Sequence, residues 1–179
     1  MASINKNQKK RLSYLKARNQ FRLNSPKYIK PLEQEIFLSS EYSYIVQPEL
    51  EELLAHIREI GLDQKYTCRY HVDDVKEVEF VMSSLNVFLR TENYFSIDSL
   101  DHYWFAKVNT EFAITKFKEV LNIDGDGFCI YDLDFRNGLR LDIYQQNYWV
   151  NEKTVYGLGY EIDIWGEVWI EKFFEGKMN

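Results

Sequence analysis

Residues 130–144, Ile130-Tyr131-Asp132-Leu133-Asp134-Phe135-Arg136-Asn137-Gly138-Leu139-Arg140-Leu141-Asp142-Ile143-Tyr144, alternate apolar and polar side chains around an Asn-Gly pair. Period-two alternation on both sides of such a pair predicts a β-hairpin. A two-residue turn at Asn137-Gly138 would set Asp134 opposite Leu141 and Leu133 opposite Asp142, mixing carboxylates with apolar groups on both faces. A three-residue loop, Arg136-Asn137-Gly138, with Gly138 in the left-handed bulge position, instead pairs Phe135 with Leu139, Leu133 with Leu141 and Tyr131 with Ile143. The second register is the one expected, because it makes one face wholly apolar. The other face then carries Asp134 opposite Arg140, Asp132 opposite Asp142 and Ile130 opposite Tyr144, with Arg140 as the cation between facing carboxylates.

Outward from the hairpin, strands are expected at 127–135, 139–147, 154–165 (interrupted at Gly157 and Gly159) and 167–174, with shorter ones at 65–71 and 102–108. Before residue 126 the period is helical. Pro48 opens a helix with Leu50, Leu53, Leu54, Ile57 and Ile60 on one face, and Gly61 stops it. Asp74 and Glu77 form a capping-box pair ahead of Val75, Val78, Val81, Met82, Leu85, Phe88 and Leu89. A third helix runs from Thr110 to Leu121, with Ala113, Phe117, Val120 and Leu121 inward, and ends at Asp124-Gly125-Asp126-Gly127. Helices early, strands late and no βαβ rhythm predict a single α+β domain with a C-terminal antiparallel sheet.

The 179 residues, 45% hydrophobic and 28% charged, suit one globular domain. The net charge of −6 hides an asymmetry. Residues 1–31, read as a basic arm or helix, hold nine basic and no acidic side chains, whereas residues 32–179 hold 13 basic and 28 acidic ones, a formal −15. Ser25-Pro26 should stop the arm's helix. Such a body attracts basic partners, while the arm invites nucleic acid, a second copy or the chain's own acidic surface. Neither a transmembrane stretch nor a secretory leader is legible, so a cytoplasmic protein is expected. Cys68 and Cys129 read as buried free thiols, with Cys129 on the hairpin's apolar face beside Tyr131 and Leu133.

Catalytic motifs are absent from the sequence. Asp124-Gly125-Asp126-Gly127 fails as a calcium loop, because Phe128 and Phe135 fall where oxygen ligands are required. His56, His71 and His102 lack metal-ligand spacing, and no GxSxG, GxxxxGK[ST] or GxGxxG segment occurs. Neither an enzyme nor a cofactor is expected. The remaining enzymatic idea is a metal held by Asp132, Asp142 and Asp163 with Lys153 or Lys172 nearby, acting on phosphate esters.

The leading expectation is a protein-binding module whose acidic, aromatic-studded sheet face holds a basic partner. Asp132, Asp134, Asp142, Glu161 and Asp163 supply charge, and Tyr144, Trp149 and Trp165 supply anchors. In charge, size and aromatic content the chain is similar in general character to the immunity proteins that neutralise bacterial toxins, many of them basic nucleases. That likeness implies an inhibitory role toward such a partner. The alternative expectation is nucleic-acid binding through Lys9, Lys10, Arg11, Lys16 and Arg18. A homo-oligomer is compatible with either.

Overall fold

The computed structural model describes residues 6–24, 26–38, 41–46, 48–60, 65–71, 73–100, 104–150 and 153–178. Among them seven strands build one antiparallel sheet: β1 (Tyr42–Ile45), β2 (Lys65–His71), β3 (Glu92–Ile97), β4 (Phe105–Asn109), β5 (Gly127–Tyr131), β6 (Gly138–Val150) and β7 (Lys153–Trp165). Their spatial order is β1-β4-β3-β5-β6-β7-β2. The chain is α+β, with most helices in its first part and most strands later. Two edge strands nevertheless come from the first half, and β1 and β3 occupy segments where the sequence predicts none.

The helices are α1 (Lys6–Asn24), α2 (Ile29–Pro31, continuing as a π-helical turn over Leu32–Phe37), α3 (Glu49–Ile60), α4 (Val75–Ser84), α5 (Asn86–Leu89), α6 (Phe112–Thr115), α7 (Phe117–Asp124) and α8 (Glu167–Met178). None among the described residues is long and apolar enough to cross a membrane. The α7 terminus is the expected one: Gly125 takes φ 90° and its N–H returns to Leu121 O at 2.7 Å.

Two expected helices are each broken in two. The 74–89 stripe divides at Leu85 (φ −95°, ψ 10°), where the Ser84 hydroxyl donates back to Val81 O at 2.7 Å. No capping box forms, because the Asp74 carboxylate accepts from the His71 N–H at 3.2 Å instead. The 110–121 segment divides at Lys116 (φ −129°). Phe112 and Phe117 are both buried, yet residues five apart on a continuous helix would point about 140° away from each other.

The strand expected at 167–174 is part of α8. Its buried residues, Trp169 and Phe173, are four apart, while Val168, Glu171 and Phe174 are exposed, which is helical spacing. Gly166, at φ 84°, turns the chain out of β7 against the carbonyl of Arg136.

The hairpin register also differs from expectation. Tyr131 pairs with Gly138, Ile130 with Leu139, Cys129 with Arg140, Phe128 with Leu141 and Gly127 with Asp142. Against the expected pairing of Tyr131 with Ile143 this is a slip of five residues, an odd number, so β5 is turned over relative to β6, which keeps Leu139 and Leu141 on the core side. Residues 132–137 form a loop in which the Asp132 carboxylate accepts from Arg136 N (2.9 Å) and Asn137 Nδ2 (2.7 Å). Phe135, at φ 58°, takes the left-handed position expected of Gly138, and its ring stacks on Tyr94 at 4.7 Å. Gly138 is needed elsewhere: a Cβ there would collide with the Trp165 indole and the Ile130 carbonyl.

The register places Phe95, Ile130, Leu139 and Ile164 in one row and Phe128, Leu141 and Ile162 in the next, all under the helices. Trp169 and Phe173 of α8, Val81 and Met82 of α4 and Phe117 and Leu121 of α7 close that core. The opposite face of the sheet carries most of the polar side chains of the central strands.

Candidate functional site

On that second face the cross-strand rows are legible residue by residue. One runs Tyr94, Tyr131, Gly138, Trp165, Lys65. The next runs Ser96, Cys129, Arg140, Asp163, Thr67, and a third Gly127, Asp142, Glu161, Arg69. The 132–137 loop covers part of this face through Phe135, whose ring meets His56 of α3 edge-on at 6.1 Å. Two hollows remain beside it and meet at Asp98 and Arg140.

The first, about 270 Å³, has an aromatic wall of Phe105, Tyr131 and Trp165. Its charged lining comprises Lys65, Asp98, Arg140 and Asp163, and Ser96 and Cys129 line it as well. Each charge is matched, with Lys65 Nζ 2.6 Å from Asp163 Oδ2 and Arg140 Nη2 2.6 Å from Asp98 Oδ2. Thr67 donates to the other Asp163 oxygen at 2.6 Å, and Asp163 is buried. The Trp165 indole is 3% exposed, and its Nε1 has no acceptor among the described residues.

The second hollow, about 340 Å³, is lined by Asp98, Ser99, Asp126, Arg140, Asp142 and Ile143. It carries three carboxylates and one guanidinium. Arg140 Nε stands 3.0 Å from Asp142 Oδ1 without the alignment of a hydrogen bond, and that oxygen is buried with no donor among the described residues. Asp124, which does not line this hollow, accepts from Ser99 N (3.4 Å) and Gly127 N (3.3 Å) through one oxygen while its Oδ1 has no donor among the described residues.

Burial, then the charge of Asp98, pushes the Asp142 carboxyl up to about 7 despite Arg140. Burial also raises Asp124. For Arg140, burial opposes the charge, but the Asp98 hydrogen bond and the charges of Asp98 and Asp142 outweigh it and raise the guanidinium pKa. Gly127 makes this crowding sterically possible, since a Cβ there would sit 2.6 Å from Leu141 O and against the Asp142 carboxylate.

The residues expected to bind a partner are distributed unevenly. Asp142, Glu161 and Asp163 share the second face, and each has a cation of the chain beside it, Arg69 in the case of Glu161. Asp132 and Asp134 lie in the 132–137 loop, off the strands, where Asp134 is exposed. Tyr144 is half-buried, its ring 5.7 Å from the Arg69 guanidinium. Trp165 is a buried wall of the first hollow, and the Trp149 side chain lies outside the described residues. Cys129 is not on the apolar core face; it lines the first hollow as a buried thiol that burial pushes to a high pKa, hence unreactive.

On α1, Lys10 ion-pairs Glu51 of α3 at 3.4 Å, joined by the Tyr14 hydroxyl, while Lys9, Arg11, Lys16 and Arg18 are exposed. For the metal idea, no three metal-binding side chains converge among the described residues, and Lys172 pairs with Glu175 at 2.9 Å on α8. The Lys153 side chain, like His102, lies outside the described residues. His71 Nδ1 accepts from Asp73 N at 3.2 Å.

Sequence reasoning missed Lys65, Thr67 and Arg69, although the alternation Lys65-Tyr66-Thr67-Cys68-Arg69 carries the signal. It also missed Asp98, for which no pattern exists. A larger hollow of about 570 Å³ near β1 and β4 includes Glu92 and Glu111, but Lys107 (2.8 Å) and Arg90 (3.2 Å) already engage them. No protein-family model, curated protein or solved structure matches this chain.

Proposed function

We propose that this chain is a cytoplasmic protein-binding module that holds a basic partner at the acidic hollow of the second sheet face, in the manner of an inhibitor or immunity protein against a toxin nuclease. The observation that carries the reading is the excess of carboxylates around that hollow, Asp98, Asp126 and Asp142 against the single guanidinium of Arg140. A lysine or arginine side chain would bring hydrogen-bond donors together with the positive charge that this lining is short of. The −15 of residues 32–179 supports the same reading, since it steers a basic surface toward the chain over long range. Asp126, exposed at the mouth, is the first carboxylate that such a side chain meets.

The test is affinity capture by the tagged full-length chain from its native cells, at low and high salt, beside an Asp126→Asn/Asp142→Asn double variant. One basic protein held by the wild type, resistant to nuclease, weakened by salt and lost from the double variant is the expected result. Equal retention by the double variant refutes the site. A second reading rests on the exposed Lys9, Arg11, Lys16 and Arg18 of α1. Nuclease-sensitive material, lost when those four are changed to alanine, would establish nucleic-acid binding in place of the first reading. Changing charges is cleaner than deleting residues 1–31, because Tyr28 and Ile29 belong to the core.

A further inference from the structure

The basic helix α1 carries apolar side chains on two opposite sides, and the fold uses one of them. Over its 19 residues it has seven basic and no acidic side chains. Every described side chain of α1 except Tyr14 and Phe21 is exposed. Phe21 packs against the core, and the Tyr14 hydroxyl donates to Glu51 of α3 beside the Lys10 ion pair. At about 100° of turn per residue, Leu12 and Leu23 point about 160–180° away from Tyr14 and Phe21, and Leu15 stands about 60° from Leu12 on the same outer side. These three leucines are 48%, 60% and 54% exposed, in the order Leu12, Leu23, Leu15.

Cations border the outer leucines on both flanks. Lys9 and Lys16 lie about 40–60° from Leu12 on one side, and Arg22, Arg11 and Arg18 lie about 20–60° beyond Leu15 on the other. All five are exposed. Nucleic-acid phosphates would engage these cations and leave the leucines in water. A bilayer with anionic headgroups engages both, because leucines enter the boundary between headgroups and acyl chains while long basic side chains reach sideways to the headgroup charges. From Leu12 to Leu23 the outer stripe runs about 16 Å, so a flat surface can meet it along its length. The −15 of residues 32–179 does not forbid the approach. A helix is about 10–12 Å across, more than the Debye length of about 8 Å at physiological salt, so α1 spaces the acidic body from the headgroups.

We infer that the outer side of α1 is a docking surface for anionic lipid membranes, on which the helix lies flat with Leu12, Leu15 and Leu23 inserted. The inference is independent of the acidic hollow. It draws on cations that the nucleic-acid reading also uses, and it gives the leucines, idle in that reading, their role.

The test is co-sedimentation of the full-length protein with vesicles of phosphatidylcholine alone or with about one-third phosphatidylserine. Binding to the phosphatidylserine vesicles should be about tenfold or more stronger than to the neutral ones, and salt should weaken it. Leu12→Gln/Leu15→Gln/Leu23→Gln keeps every charge and changes only exposed side chains. It should lower the partition coefficient about tenfold or more while the unfolding midpoint stays that of the wild type. A double-stranded oligonucleotide is titrated against both proteins in parallel. The inference is overturned if the protein sediments with neither vesicle or equally with both. Undiminished binding of the leucine variant overturns it too, since charge alone would then account for adsorption. Capture of the oligonucleotide at concentrations where the vesicles stay unbound assigns α1 to nucleic acid instead.

Discussion

Replacing Asp142 by asparagine should make the protein more stable at neutral pH, and the gain should vanish in acid. The ordinary carboxyl value of 3.8 is pushed up to about 7 at this position, first by burial and then by the Asp98 charge. A carboxyl whose pKa is higher in the folded state holds its proton more tightly there. The stability this lends is complete below pH 3.8 and is lost as the pH climbs through 7. A tenfold difference in proton affinity between folded and unfolded chains corresponds to about 1.4 kcal/mol, and integration between pH 5 and pH 7 gives a loss of about 2 kcal/mol from this one group. Asp142→Asn stays neutral and escapes it. The assay is urea unfolding followed by tryptophan fluorescence at half-unit pH steps, with the variant curve subtracted from the wild type. Every other carboxylate is present in both proteins, so its contribution largely cancels in the subtraction. Curves that run parallel from pH 5 to pH 8 would refute the reasoning, since Asp142 would then be an ordinary carboxylate well served by Arg140.

Two further substitutions probe the packing that positions the site. Asn93, buried between β3 and the α5 turn, donates through Nδ2 to Phe88 O at 2.9 Å and to Thr110 Oγ1 at 2.8 Å. Asn93→Ala removes both bonds and leaves Thr110 Oγ1 without that donor, and should cost about 2 kcal/mol in chemical denaturation, whereas a change below about half a kcal/mol would mean that the network is not intact in solution. Phe135→Ala removes the ring stacked on Tyr94 and should cost about 3–4 kcal/mol. A denaturation midpoint unchanged from wild type would show that the 132–137 loop is not seated on the sheet.

Local signals in the sequence were reliable where the deciding interaction is itself local. The amphipathic face of α3, the left-handed cap at Gly125 and the strand at 65–71 all follow from residues within a few positions of one another. The failures share a different cause. Gly138 reads as a turn glycine, yet its missing side chain makes room for Trp165, which lies 27 positions further along and faces it across β6 and β7. Asn137 reads as half of the turn but is spent on the Asp132 carboxylate. In 167–174, branched and aromatic residues favour a strand, and only the burial of Trp169 and Phe173 against α4 and α5 neighbours such as Phe88, stacked on Trp169 at 5.4 Å, selects the helix. For the site, the grouping of Asp142, Glu161 and Asp163 was legible from alternation. Their neutralisation by Lys65, Arg69 and Arg140 depends on β2 lying beside β7, which no local pattern encodes.

That strand order also governs how the protein assembles in time. Lys65 pairs with Trp165, one hundred residues further on, so β2 is synthesised long before its neighbour β7 exists. Contacts of such separation are closed late and slow the folding of the domain. Until β7 leaves the ribosome, β2 offers an unpaired backbone edge with Tyr66, Cys68 and Tyr70 uncovered, the kind of segment that chaperones engage and that recruits other nascent chains. The same join that completes the wall of the aromatic hollow is therefore the step at which a nascent chain is most open to misassembly.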